Sequence, residues 1–426
     1  MGEGDDVVLR SFFIPPRAGR NAAWTVSLLF MLVCFAVIPV VTAPPCYAEQ
    51  PPAQSQPQSQ PQPQSQPRLE ISAPSAILME ASSGRVLYEK DAHKRMPPAS
   101  ITKIMTMLMV MEALEAGKIS LNDKVIASEH ACSMGGSQVW LEPGEEMLLS
   151  DMLKAIAIVS ANDCSVAVAE HIAGAEEIFV DMMNARAREL GMKDTHFVNA
   201  TGLPHPDHYT SAYDIALMSR ELLKHPMVHE WFTTWIDYLR DGKNILVNTN
   251  RLIKDYKGAD GLKTGYTEEA KYCLAATAKR DGLRLISVVL GVEDSKTRFN
   301  EAARLLDYGF RYYVGVEVAR AGDIVTQSPV RRGVAETVSA VAKGSLTALA
   351  PRGEEKKIKT EIRLEEKITA PVTKGQKVGE LVALLDGEEV ARIDLVAGED
   401  VRKANIFQMF IRMIRDLFRT LFGRGK

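Results

Sequence analysis

The chain has 426 residues, 46% of them hydrophobic and 25% charged, with a formal net charge of -3. That length exceeds what one core usually supports and leaves room for two or three domains. The near-neutral balance gives no basic face for nucleic acid, and five cysteines with no CxxC pair or Cys/His cluster suggest no metal site.

The first segment reads as an export signal. Arg10, Arg17 and Arg20 precede an apolar stretch over 22–43, and Cys46-Tyr47-Ala48 lies where a signal peptidase reads, so residues 1–48 are assigned to it. The stretch is also long enough to span a bilayer, which leaves an uncleaved anchor as the competing reading. Pro39, Pro44 and Pro45 interrupt a spanning helix and favour cleavage. Either way, the rest of the chain is expected outside the cytoplasm. Residues 49–68 are dominated by Pro, Gln and Ser and predict an extended tether. Removal of the signal leaves Cys132, Cys164 and Cys273, an odd number read as buried free thiols.

Order is expected from about Ser75. The runs 76–80 and 86–88 flank Ser82-Ser83-Gly84-Arg85 as a hairpin, and the apolar run 101–114 after Pro97-Pro98 predicts a buried helix. Helical patterns continue over 152–172, 175–190 and 214–223, strand patterns over 273–278 and 284–289, and a helix over 297–308. Helices framed by β pieces imply an α/β (α+β) domain over 69–313. Short alternating runs at 319–325, 336–341, 358–364, 378–385 and 388–395 predict a smaller all-β domain over 314–402. In the tail, 403–426, Ile406, Phe407, Phe410, Ile411, Met413, Ile414, Leu417, Phe418, Leu421 and Phe422 share one helical face. Gln408, Arg412, Arg415 and Arg419 lie opposite, which predicts an amphipathic helix in an anionic membrane interface. A helix docked on the protein's own core is the competing reading.

Three triplets carry chemistry. In Ser100-Ile101-Thr102-Lys103 a helix puts serine and lysine on one face, where a desolvated amine can take the hydroxyl proton. Alone this spacing is common. Ser160-Ala161-Asn162 and Lys263-Thr264-Gly265 follow it, and the order SxxK, SxN, KTG is that of penicillin-binding proteins and class A β-lactamases.

With these triplets, and with Asn199-Ala200-Thr201-Gly202-Leu203 and Ser211-Ala212-Tyr213-Asp214, the chain resembles the low-molecular-mass penicillin-binding proteins, the serine-type D-alanyl-D-alanine carboxypeptidases. The resemblance implies a transpeptidase/β-lactamase-like catalytic domain. In it Ser100 is the acylated nucleophile, Lys103 its proton acceptor and Ser160 a proton relay to the leaving D-alanine. Asn162 orients the stem peptide. Lys263 and Thr264 of the Lys263-Thr264-Gly265 motif, helped by Arg298, bind the terminal carboxylate, and the backbone N–H groups of Ser100 and Tyr266 form the oxyanion hole. The implied partners are peptidoglycan stem peptides and β-lactams, with no cofactor. His205 and His208 read as loop or rim residues, and Trp140, Trp231 and Trp235 as packing or cleft-wall residues. The rivals are a β-lactamase, for which no Glu-x-x-Leu-Asn stretch follows Asn162; a D,D-endopeptidase using the same machinery; and a non-catalytic peptidoglycan binder, which has no use for a serine–lysine pair.

Overall fold

The computed structural model describes residues 69–422, with side chains up to Arg415. The signal and tether assignments lie outside the described residues. A five-stranded antiparallel sheet organises the larger part, in the order Val86–Lys90, Ser75–Glu80, Leu283–Val292, Lys271–Arg280, Ala259–Thr267. The expected hairpin opens it. Its turn is fixed by the Glu80 carboxylate, which accepts from the backbone and hydroxyl groups of both Ser82 and Ser83 at 2.5–2.8 Å. Every residue of Ser75–Glu80 is buried, because helices cover both faces.

On one face lies Ser295–Tyr312, whose Ala302, Leu305 and Leu306 meet Leu78, Leu274 and Leu285. On the other lies the helical region, centred on Lys103–Glu115, a helix with Ile104, Met105, Met107, Leu108 and Val110 all fully buried. The pattern over 152–172 proves to be two helices, Leu149–Ile158 and Asn162–Ala173, broken at Ser160, which adopts φ 67°. Apolar periodicity runs through the break, so the sequence pattern conceals it. The run 259–267 is a strand although it carries Asp260, Gly261, Lys263 and Gly265, residues of low β-propensity.

The C-terminal region is all-β. A six-stranded sheet runs Ile358–Leu364, Lys377–Leu385, Glu388–Ala397, Thr337–Ala342, Ile324–Arg331, Ile368–Thr369, beside the pair Tyr313–Ala319 and Leu346–Pro351. Its own core gathers Val338, Ala340, Val378, Leu381 and Leu395. The strand expected over 319–325 is instead a turn between two strands: Gly322 takes φ 85° and the Asp323 carboxylate accepts from Arg320 N at 2.7 Å.

The last helix is Ile406–Phe422. Asn405 and Gln408 cap it reciprocally, Gln408 N donating to Asn405 Oδ1 at 2.8 Å and Asn405 N to Gln408 Oε1 at 3.0 Å. Ile406, Phe407, Phe410, Ile411 and Met413 are exposed. Arg412 turns the other way, donating to the carbonyls of Gly333 and Val334 at 3.0 Å and pairing with Glu336 at 3.1 Å; Arg415 pairs with Glu336 too. Among the described residues no helix is long and apolar enough to cross a membrane.

Candidate active site

Ser100 lies in a 3-10 turn, Ala99–Thr102, that runs directly into the Lys103–Glu115 helix. The turn is braced from below. Thr102 Oγ1 donates to Ala99 O at 2.9 Å and meets His208 Nε2 at 2.9 Å. His208 is therefore no rim residue: it is buried, and burial brings its pKa down to about 4, so it stands neutral under the turn. His205 is exposed, as a loop residue should be.

Lys103 is completely buried, yet no carboxylate pairs with it among the described residues. Its Nζ lies 3.2 Å from Ser100 Oγ and donates to Asn162 Oδ1 at 2.5 Å and Thr201 O at 2.7 Å. Burial, then the Lys263 ammonium, holds its pKa well below the usual lysine range against an opposing pull from Asp163. A neutral amine has two N–H groups. Asn162 and Thr201 accept both, which leaves the lone pair for the Ser100 hydroxyl.

The helix break brings Ser160 and Asn162 to the same point. Asn162 Nδ2 donates to Gly135 O at 2.6 Å and its backbone N to Ser137 O at 2.7 Å, so the 135–137 loop fixes the amide that holds Lys103. Gly136 must be glycine for this: it takes φ 77°, and a Cβ there would lie 2.9 Å from Asn162 Nδ2. Ser160 Oγ is buried with no hydrogen-bond partner among the described residues. Such an orphan in a polar cleft marks a group held ready for a ligand.

Lys263, Thr264, Gly265 and Tyr266 lie on the edge strand Ala259–Thr267. Gly265 packs against the nucleophile turn so closely that a Cβ would lie 3.0 Å from Pro98 O and 3.1 Å from Ala99 Cβ. Lys263 is buried, and burial followed by Arg298 brings its pKa down to about 7. Thr264 Oγ1 donates to Thr249 Oγ1 at 2.7 Å. Arg298 Nη1 donates to Gly265 O at 3.1 Å, its guanidinium lies 4.8 Å from the Phe299 ring centre, and its Nε is buried and unpaired. Thr249, Arg298, Trp235 and Arg251 line a cavity of about 590 Å³, an electropositive hollow suited to a carboxylate. Tyr266 points its ring outward onto Tyr272, 4.4 Å between centres, and away from the close contact that Gly265 makes with the turn.

Eight of the nine sequence-predicted site residues thus lie on three elements around Ser100, and the ninth, Arg298, reaches Gly265 from a fourth, the Ser295–Tyr312 helix. Sequence reasoning missed Thr201, whose carbonyl holds Lys103, and Thr249. It also missed Asp163, whose buried carboxylate accepts from Val139 N at 3.0 Å and Leu141 N at 3.2 Å and so shapes the cleft-edge loop. The Asn199–Leu203 motif was the available signal for Thr201; nothing local marks the other two. Trp231 is packed and Trp235 lines the cavity, whereas Trp140, 73% exposed with φ 60°, lines a different hollow with Val139, Glu145 and Arg240. Of the three cysteines, Cys164 and Cys273 are buried and Cys132 only partly so.

A helix-borne serine–lysine turn wedged against the edge of an antiparallel sheet, with an all-β domain beyond it, is the build of the penicillin-binding serine hydrolases. The family model described as D-alanyl-D-alanine carboxypeptidase matches residues 59–294, and that of the penicillin-binding protein 5 C-terminal domain matches 313–403. The chain is 48% identical over 348 residues to the D-alanyl-D-alanine carboxypeptidase DacF of Bacillus subtilis, covering 81% of this chain and 90% of that one. It is 35% identical to DacC of Escherichia coli over 361 residues, 83% of this chain and 90% of that one. Among solved structures it resembles penicillin-binding protein 5 of Haemophilus influenzae, with TM-score 0.65 and 32% identity over 79% of this chain and 99% of that one. It also resembles ampicillin-bound penicillin-binding protein D2 of Listeria monocytogenes, with TM-score 0.53 and 33% identity over 57% of this chain and all of that one. The chain belongs to the D-alanyl-D-alanine carboxypeptidase family of low-molecular-mass penicillin-binding proteins.

Proposed function

We propose that this chain removes the terminal D-alanine from peptidoglycan stem pentapeptides through an acyl-enzyme on Ser100, and that β-lactams acylate the same hydroxyl. The observation that carries the reading is the Lys103 amine, buried without a carboxylate partner and 3.2 Å from Ser100 Oγ. Lys103 takes the hydroxyl proton as Ser100 attacks the carbonyl between the two D-alanines. The N–H groups of Ser100 and Tyr266 receive the developing oxyanion, a contribution of a few kcal/mol per donor. Ser160, its hydroxyl otherwise idle, passes the proton to the departing amine. Asn162 orients the peptide, and Lys263, Thr264 and Arg298 hold the terminal carboxylate, whose arrival favours the charged form of Lys263. Water then hydrolyses the ester with Lys103 again as base.

Domain assignment follows the same reading: a catalytic unit over 69–313, a β unit over 314–402, and a membrane-anchoring helix beyond, on an exported protein at the outer face of the cytoplasmic membrane. The exposed Ile406, Phe407, Phe410 and Ile411 support insertion into an interface. Since Arg412 and Arg415 are occupied by Glu336, apolar burial rather than headgroup charge dominates that binding.

The test is release of free D-alanine from a diacetyl-Lys-D-Ala-D-Ala peptide, together with covalent labelling by fluorescent penicillin. Ser100→Ala should abolish both. Labelling of the alanine variant at the wild-type level, with the adduct elsewhere, would overturn the assignment.

A further inference from the structure

A second cavity, about 270 Å³, adjoins the Ala99–Thr102 turn, lined by Pro97, Pro98, Leu203, Pro204, Thr267 and Glu269 together with Ala99, Gly202, His205, Pro206 and His208. Its place along the edge strand is set by register. Thr264 bonds Thr249, which lines the Arg298 cavity; three residues on, roughly 10 Å along a strand, Thr267 lines the second cavity. The two hollows therefore open toward opposite ends of a peptide laid along this strand. If its terminal carboxylate sits with Lys263, Thr264 and Arg298, as the proposed function requires, the residue preceding the two D-alanines falls at Thr267.

The chemistry of the second hollow is specific. Prolines and Leu203 offer apolar walls without donors. Glu269 is the one carboxylate on the lining, exposed and without an ion pair or hydrogen bond among the described residues. Neither histidine on the lining pairs with it among the described residues: His208 is buried and uncharged, and His205 Nδ1 accepts from Asp207 N at 3.1 Å. Apolar walls ending in a lone carboxylate match an aliphatic stem ending in an ammonium.

We propose that this cavity is the subsite for the side chain preceding the two D-alanines, and that Glu269 selects a free amine there over a blocked one. The test compares the mature chain on Nα-acetyl-Lys-D-Ala-D-Ala, its side-chain amine free, and on the Nα,Nε-diacetyl peptide, by initial D-alanine release well below KM. The free-amine peptide should be favoured about two- to fivefold, as for an exposed ion pair, and the preference should shrink at high salt. Glu269→Gln should bring the ratio to about one and Glu269→Lys should invert it. Both rates come from one preparation, so partial misfolding cancels in the ratio. Equal wild-type rates, or a preference that survives Glu269→Gln, overturn the subsite alone. Release from neither peptide overturns the hydrolase reading and this proposal with it.

Discussion

The two folded regions treat charge in opposite ways. Around Ser100, Lys103 and Lys263 are buried side by side with no carboxylate partner among the described residues, and Arg298 Nε is buried and unpaired. In the β region charges are paired and wet: Lys377 with Glu380 and Asp394 at 2.7 Å, and Arg363 with Glu361 and Glu389 at 3.0 Å. Desolvated cations crowded together are unfavourable, and the fold tolerates them because they lower the Lys103 pKa and leave Lys263 and Arg298 hungry for an anion. The charges of the β region show no such tension.

The sharpest way to break that contrast is to remove the base. Lys103→Ala should lower kcat by about two to four orders of magnitude even at saturating peptide, the usual worth of a positioned general base. Near-normal kcat would refute the role. Removing the other buried cation should act differently. Lys263→Ala deletes a charge-assisted contact of about 1.5–3 kcal/mol, so kcat/KM should fall roughly 10- to 100-fold.

The pH profile sharpens the same comparison. Lys103 must be neutral to accept a proton, so activity is lost as pH falls through its lowered pKa. Lys263 must be charged to hold a carboxylate, so kcat/KM is lost as pH rises through about 7. Lys263→Ala takes away a cation that depresses the Lys103 pKa, so the acidic limb should move to higher pH and the alkaline limb should vanish. An unmoved acidic limb would show that the two amines do not communicate.

How much of this was legible depended on where each role arises. The three triplets were readable because their chemistry lies in residue types at fixed spacing, and the buried helix after Pro98 because its apolar run from Ile104 to Met111 is interrupted only by Thr106. The break at Ser160 was not, since Ile156, Ile158, Ala161 and Cys164 keep helical periodicity through it while tertiary contacts from Ser137 and Thr249 pull the chain aside. His208 looked like a loop polar; its burial comes from packing beside Phe197 and under Thr102, the latter far from it in sequence. Thr249 and Asp163 acquire their partners only through folding. In the β region, the Gly322-Asp323 turn was hidden by β-branched neighbours that continue an alternating pattern.

The tail tests whether the second region is joined to anything but solvent. Stopping the chain before Ile406 removes the exposed Ile406, Phe407, Phe410 and Ile411 but none of the residues around Ser100. The mature chain ending at Lys426 should float with liposomes, and the shortened one should stay in solution and release D-alanine at an unchanged rate. Because Arg412 and Arg415 are engaged with Glu336, neutral and anionic liposomes should differ less than a free basic face would make them. Failure to bind either kind would leave the helix as a docked element of the β region.

The smallest expected effect lies within the β sheet itself. Lys377→Ala breaks pairs with Glu380 and Asp394 that stand in water, where each partner keeps its hydration and the gain from pairing is small. Thermal unfolding should shift no more than replicate scatter, and D-alanine release should not change. Glu380 shares a strand with Lys377, and Asp394 lies on the neighbouring strand already joined to it from Lys377 to Leu385, so backbone bonds hold the register without these pairs. A large loss of stability here would mean that the surface network is structural after all, and the contrast between a strained site and a relaxed β region would fail at its second term.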